Sequence, residues 1–159
     1  MAIRTIRERG DDILRGKAKP VAEMTPRLQT IIKDMYETMY DSDGVGLAAP
    51  QIGIKKRVFV VDVPKEDGES DKYTMINPEI LETSGEQEGF EGCLSVPGKH
   101  GMVKRPMHVK VRAQDENMNW REVEAEGLLA RAILHENDHL DGILYTDLVE
   151  GDLLDNEEE

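Results

Sequence analysis

The stretch GLLARAILHENDHLDG, residues 127–142, determines how the rest of the chain is interpreted. Its apolar residues lead into an H-E-x-x-H pattern, in which His135 and His139 are four positions apart and Glu136 follows the first histidine. Because residues four apart lie on one face of a helix, the two histidines can bind one metal ion. Glu136 can then reach a metal-bound water instead of the metal. The stretch predicts a buried helix with a metal site, and Gly142 is typical of its C-terminal end.

A catalytic metal site also needs a third protein ligand and an open position. A metzincin peptidase would supply a third histidine, but this chain has Tyr145 at that position. Other zinc peptidases supply a later glutamate, and here such residues occur only in the acidic C-terminal tail. Cys93, in EGCLSVPG, is the remaining soft ligand. A lone cysteine more often packs as a small apolar residue, but beside this histidine pair we interpret Cys93 as the third ligand.

A third segment, GVGLAAPQIG at 44–53, is rich in small residues that let another backbone approach closely. Gln51 can donate its amide N–H to a developing oxyanion. A glycine-rich turn before a strand would have the same sequence, so this segment alone does not establish a function. It is not a phosphate-binding loop, because it lacks the G-K-[ST] sequence.

The rest of the chain predicts an α+β fold. Thr25 and Pro26 mark the start of a helix over 26–40, whose apolar residues recur at helical spacing. Asn77-Pro78 and Pro97-Gly98 are expected in loops. Strands interleave with two helices without regular βαβ alternation, which favours α+β. The predicted strands are RVFVVDV (57–63), MHVKVRA (107–113) and WREVEAE (120–126).

The length of the chain predicts one domain, and its negative charge argues against nucleic-acid binding. The 159 residues suit a single domain over 1–159. The formal net charge is −13, and the chain from position 132 onward has ten acidic residues and no Lys or Arg. We expect about 150–159 to form a frayed acidic tail. So acidic a chain is a poor nucleic-acid binder, and DNA is not an expected partner.

Three further features predict a cytoplasmic protein. No apolar run approaches the roughly 18 residues of a membrane span, so no membrane partner is expected. The N-terminal sequence lacks the apolar core and cleavage site of a secretory signal. The single cysteine cannot form an internal disulfide.

The segments GVGLAAPQ (44–51), EGCLS (91–95) and HENDH (135–139), in this order, together resemble the three signature motifs of the peptide deformylase family. The resemblance extends over nearly the whole chain. It implies an α+β fold in which β-sheets surround a central helix carrying the H-E-x-x-H motif, with another helix in the N-terminal half. It also implies removal of the formyl group from the N-terminal formyl-methionine of newly made polypeptides.

The resemblance assigns roles to individual residues. Metal-bound hydroxide would attack the formyl carbon, with Glu136 as the general acid and base. Gln51 and the backbone N–H of Leu94 would stabilise the oxyanion. The expected metal ligands are Cys93, His135 and His139.

The resemblance also implies how the peptide is held. The substrate would pair as an added strand with the backbone of Val45, Gly46 and Gly92. The residues one or two helical turns before His135 would line the methionine pocket, with the stem of the arginine in its wall; these are Leu128, Arg131 and Ala132.

The resemblance predicts an iron(II) enzyme that also accepts zinc, nickel or cobalt. The ligand types alone favour zinc, because Cys and His suit both metals and the affinity order does not favour iron. Many relatives end in a long basic helix, whereas this chain ends in a short acidic segment. Any ribosome contact is therefore not expected through the C-terminus. The basic stretch that remains for such a contact is Arg4, Arg7, Arg9, Arg15, Lys17 and Lys19.

Two other functions remain open at this stage. A small zinc peptidase would share the H-E-x-x-H helix, although the third histidine is absent. A metal-stabilised binding module would share the ligands but would have no use for Glu136.

Overall fold

The computed structural model describes residues 3–64 and 69–156. The two long helices are α1 (Pro26–Asp41) and α2 (Gly127–Leu140), and short 3-10 helices cover Asp12–Arg15, Ala49–Ile52 and Tyr145–Asp147. The strands are β1 (Gly46–Ala48), β2 (Val58–Pro64), β3 (Ser70–Ser84), β4 (Gln87–Cys93), β5 (Val96–Arg105), β6 (His108–Gln114), β7 (Trp120–Glu126) and β8 (Glu150–Asp155).

The strands form two antiparallel sheets. The larger has the order β1-β2-β3-β6-β7, and the smaller has the order β4-β5-β8. Two helices with two antiparallel sheets confirm the predicted α+β class. The three predicted strands are present as β2, β6 and β7, and each observed strand starts within one residue of its prediction.

Strand β2 is apolar and buried from Val58 to Val61 because helices cover both of its faces there. Phe59 and Val61 belong to the core cluster that includes α2, whereas Val58 and Val60 belong to the cluster that includes α1. The predicted N-terminus of α1 is confirmed, since the Thr25 hydroxyl accepts the N–H of Leu28 at 3.1 Å. The larger sheet thus lies between the two helices.

Two of the predicted loops are instead parts of strands. Asn77-Pro78 lies within β3 at a bulge, where the pairing with β6 shifts and Asn77 has a φ of 52°. The bulge tolerates a proline that has no N–H to donate, and the Asn77 side chain hydrogen-bonds both backbone polar groups of Val21 at 2.8 Å. Pro97-Gly98 lies at the start of β5.

The expectation of a frayed tail is wrong for 150–155, which forms β8. This strand pairs with β5, with Asp155 opposite Lys99 and their side chains in an ion pair. Leu153 also packs against the small core cluster of the second sheet. Backbone pairing and apolar contact therefore order an acidic sequence that charge alone would leave solvated. Positions 157–159 lie outside the described residues.

The described part of the chain has no helix with the length and apolar composition needed to cross a membrane.

Helix α2 ends at Leu140, and Gly142 follows with a φ of +77°. A Cβ atom on Gly142 would lie 2.5 Å from the carbonyl oxygen of Arg15. The end of α2 therefore requires glycine both for its conformation and for close approach of the N-terminal segment.

Gly142→Ala is expected to lower the free energy of unfolding by about 2 kcal/mol or more, because backbone strain and a backbone clash add together. Gly151→Ala is the matched control, since Gly151 has a φ of +81° but open space where a Cβ would be. The control should lose only about 1 kcal/mol. Urea denaturation would measure both variants, and equal losses would contradict the proposed close contact.

Candidate metal centre and active site

Three soft donor atoms meet where α2 faces the end of β4. One ligand atom each from Cys93, His135 and His139 lies within 4.8 Å of the other two. The Cys93 Sγ and His139 Nε2 atoms are 3.3 Å apart. Both histidines are buried on α2, while Cys93 is the last residue of β4, before the two-residue turn into β5. The arrangement is a possible metal site made of one cysteine and two histidines.

The donor set fits a small divalent cation. Ligand bonds of about 2.0–2.3 Å around a tetrahedral metal place the ligand atoms roughly 3.3–3.8 Å apart, which is close to the spacing of these groups. Burial alone would lower the pKa of His135, but Cys93, Glu136 and Glu91 together raise it well above its usual value. These neighbours are negative or hydrogen-bond acceptors, and the same negative potential favours a bound cation.

Glu91 fixes the orientation of His135. Its Oε1 atom accepts the His135 Nδ1 hydrogen at 2.8 Å, which leaves Nε2 as the free ring nitrogen. The same carboxylate accepts two hydrogen bonds from Arg105 and one from Arg131, at 2.7–2.8 Å. Glu91 therefore acts as a buried hub that joins β4, β5 and α2.

Two buried arginines keep the Glu91 carboxylate in its ionised form. Burial alone would raise the pKa of Glu91, but hydrogen bonds from Arg105 and His135 hold it well below its usual range. Arg105 also donates to Asp138 of α2 at 2.6 Å. Arg131 donates in addition to the carbonyl oxygens of Gly89 and Val103. The Glu91 carboxylate is therefore ionised. The Arg105–Asp138 pair and the contacts of Arg131 tie the smaller sheet to α2.

Glu136 is buried beside the donor atoms. A Cβ atom on Gly46 would lie 2.6 Å from Glu136 Oε2, so only glycine leaves space for this carboxylate at β1. The Glu136 Oε1 atom is buried and has no hydrogen-bond partner among the described residues. Burial raises the pKa of Glu136 to about 7, with Glu91 adding to the rise. A carboxyl group with these properties can exchange a proton near neutral pH.

Gln51 is held with its amide nitrogen towards the cysteine. Its Oε1 atom accepts the backbone N–H of Ala48 at 2.9 Å, which fixes the orientation of the amide. Its Nε2 atom donates to Ser95 Oγ at 3.0 Å and lies 3.5 Å from Cys93 Sγ. One of the two N–H groups is thus engaged by Ser95, and the other donates to the Cys93 sulfur on the cavity wall.

One cavity of about 570 Å³ joins these groups. Of the sequence-predicted residues only His139 is not on its wall. Arg131 and Leu128 lie on the wall as expected for the helix face before His135. The predicted residues that line the cavity are Val45, Gly46, Gln51, Gly92, Cys93, Leu94, Leu128, Arg131, Ala132, His135 and Glu136.

Sequence reasoning missed the residues that support the site. Glu91 stands in the quoted EGCLS segment, but a charged residue in a strand gives no sign that it is buried. The available signal was Arg131, an arginine in an apolar helix, which requires a buried acidic partner. Arg105, Ser95, Phe90 and Asn156 carry no pattern that would have identified them.

Glu91→Gln is expected to lower the free energy of unfolding by at least ~3 kcal/mol, because it leaves the buried Arg131 guanidinium without its counter-ion and leaves Arg105 with Asp138 alone. Glu88→Gln is the matched control on the same strand, since Glu88 is exposed and its ion pair with Lys104 is long, at 3.5 Å. The control should change stability by less than about 0.5 kcal/mol. Equal stability of both variants in urea titrations would contradict the stabilising role of Glu91.

The family model "Polypeptide deformylase" matches residues 3–152. A peptide deformylase of Agathobacter rectalis is 58% identical over 155 residues, covering 98% of this chain and 95% of the relative.

Two solved structures share the fold. The peptide deformylase of Thermotoga maritima has a TM-score of 0.89 at 42% identity and covers 95% of this chain and 100% of its own. A Met-Ala-Ser-bound peptide deformylase of Acinetobacter baumannii has a TM-score of 0.88 at 39% identity, covering 93% and 99%. The family consists of metalloenzymes that hydrolyse the formyl amide of N-formylated nascent peptides. The chain belongs to the peptide deformylase family.

Proposed function

We propose that this chain, acting as one catalytic domain, removes the formyl group from formyl-methionyl peptides with Glu136 as general acid and base. The observation that carries the proposal is the cavity where the three signature segments meet. Gln51, Cys93 and Glu136 come from three separate segments and line the same 570 Å³ space. A shared cavity gives these residues a common substrate.

Cys93, His135 and His139 would hold the metal. A divalent metal bound there supplies a Lewis acid that lowers the pKa of water and makes hydroxide available at neutral pH. We propose iron(II), as the family resemblance implies, while zinc, nickel or cobalt can replace it. The ligand types are equally suited to zinc.

Glu136 moves the protons of the reaction. As the water oxygen bonds to the formyl carbon, Glu136 accepts a proton from that water. It then delivers the proton to the amide nitrogen as the C–N bond breaks, so that formate and a free α-amine leave. A pKa of about 7 suits both directions of transfer, and the free Oε1 atom is available for the water.

The oxyanion that develops on the formyl oxygen is stabilised by two donors in this proposal. One is the Gln51 amide N–H that is directed at Cys93 Sγ, while contacts with Ala48 and Ser95 fix the orientation of the amide. The other is the backbone N–H of Leu94, in the turn after β4. Donors that are oriented in advance stabilise charge without reorganisation, and one such donor is usually worth ~10²–10³-fold in turnover.

The peptide is held between the two sheets. β1 and β4 are edge strands of the larger and smaller sheets, and both border the cavity. We propose that the peptide backbone pairs with Val45, Gly46 and Gly92 as an added strand. The methionine side chain then enters the part of the cavity lined by Leu128, Arg131 and Ala132. Arg131 presents its stem there, because its guanidinium group is fixed to Glu91.

The nascent substrate places the proposed site of action in the cytoplasm, close to ribosomes. We propose that ribosome contact does not involve the acidic C-terminal segment, because ribosomal phosphates require cations. In the predicted basic stretch, Arg4, Arg7 and Arg15 form ion pairs within the chain. Exposed cations nonetheless remain close together, since the segment of Lys17 and Lys19 runs beside Lys55 and Lys56.

Protein purified without oxygen should release formate from formyl-Met-Ala-Ser and leave Met-Ala-Ser intact. Glu136→Gln should keep its metal but lose at least ~10²-fold in turnover, because the amide cannot accept the proton. Glu122→Gln, at an exposed position of β7, is the control and should retain full turnover.

Three outcomes would contradict this proposal. Cleavage within Met-Ala-Ser would indicate a peptidase, and binding without turnover would indicate a metal-stabilised module. Near-normal turnover of metal-loaded Glu136→Gln would exclude Glu136 from proton transfer.

A further inference from the structure

An exposed apolar surface lies beside the mouth of the cavity. Phe90 of β4 is 58% exposed and also lines the cavity. Its ring contacts the ring of His100 edge-on, with centroids 5.2 Å apart. Leu154 of β8 pairs with His100 and is itself exposed. We call the surface formed by Phe90, His100, Leu154 and Asn156 the C-terminal shelf.

Asn156 holds the shelf together. Its Oδ1 atom lies 2.7 Å from His100 Nδ1, and because an amide oxygen only accepts, the ring nitrogen donates. Its backbone N–H donates to the carbonyl oxygen of Gly98 at 3.0 Å. Asn156 also lines the cavity. Asn156 therefore reaches the substrate cavity and fixes the His100 ring against Phe90.

Half of the shelf lies beyond the segment that the family model describes. That match ends at residue 152, whereas Leu154 and Asn156 come after it. The family model therefore does not describe these two shelf residues.

Strand alternation determines which substrate residue faces the shelf. On β4, Gly89 and Glu91 face α2, where they contact Arg131 and His135, whereas Phe90 between them faces the opposite side of the sheet. A peptide that pairs along this edge also alternates its side chains. If methionine enters the pocket on the α2 side, as the proposed function requires, the next residue points to the shelf side.

The shelf presents an apolar rather than a charged surface. Charged side chains near it are paired with one another: Lys99 with Asp155, and Lys104 with Glu88 and Glu150. The Phe90 ring and Leu154 remain exposed to a ligand. An exposed ring next to a peptide groove is suited to contact with another apolar or aromatic side chain.

We propose that the C-terminal shelf binds the side chain of the second substrate residue and favours a large apolar or aromatic residue there. Phe90 makes the contact, and Asn156 is a positioning residue that acts through His100. The proposal rests on the proposed deformylase function and adds a specificity that the metal centre does not provide.

The ratio of kcat/KM for formyl-Met-Phe-Ser to that for formyl-Met-Ala-Ser tests the shelf. Because both substrates are measured with the same enzyme preparation, differences in metal content or in the folded fraction do not change the ratio. The wild-type ratio should be roughly 10, the usual scale for burying part of an aromatic ring. Phe90→Ala should bring the ratio close to 1. Trp120→Ala removes an exposed aromatic residue of the larger sheet and should leave the ratio unchanged.

The role of Asn156 has its own test. Asn156→Ala should lower the same ratio through KM with little change in kcat, and Asn156→Asp, which keeps the oxygen that His100 requires, should restore it. A wild-type ratio near 1, or a ratio unaffected by Phe90→Ala, would overturn the proposal that the C-terminal shelf binds the second substrate residue. A ratio unaffected by Asn156→Ala would overturn the positioning role. Failure to hydrolyse either peptide would instead overturn the proposed function.

Discussion

The buried carboxylate of Glu91 is the interaction on which the site depends. Two guanidinium groups and one imidazole N–H converge on it, and the buried charges of Glu91 and the two arginines require such partners. Because Glu91 and Cys93 are on β4 and Arg131 and His135 are on α2, the ion network fixes the distance between strand and helix. The cysteine and histidine donor atoms meet as a consequence of that distance, and the network orients His135 with a defined free nitrogen.

The two sheets contribute different parts of the chemistry. The larger sheet supplies β1, whose Gly46 leaves space for the Glu136 carboxylate, and the segment that carries Gln51. The smaller sheet supplies Cys93 and the turn at Leu94. Helix α2 packs on the first and is tied by ions to the second. The cavity therefore lies at the junction of the two sheets, between their edge strands β1 and β4.

Local patterns predicted the parts of the molecule that depend on local physics. The Thr25 cap, strand β2 and the histidine pair on α2 all follow from residue types and their spacing along the chain. The bulge at Asn77, the order of β8 and the burial of Glu91 depend on partners far away in sequence. No periodicity encodes that Arg105 lies opposite Asp138, or that Asn156 returns to His100. Arg131 alone gave a sign of the network, as an unpaired charge in an apolar helix.

The central claim is that this ion network prepares one sulfur and two imidazole nitrogens to bind a single metal ion. X-ray absorption spectroscopy at the edge of the bound metal measures those ligands directly. The account predicts one sulfur at about 2.3 Å and two imidazole nitrogens at about 2.0–2.1 Å, with the sulfur signal lost in Cys93→Ser. A wild-type spectrum without sulfur, or one that Cys93→Ser leaves unchanged, would contradict it.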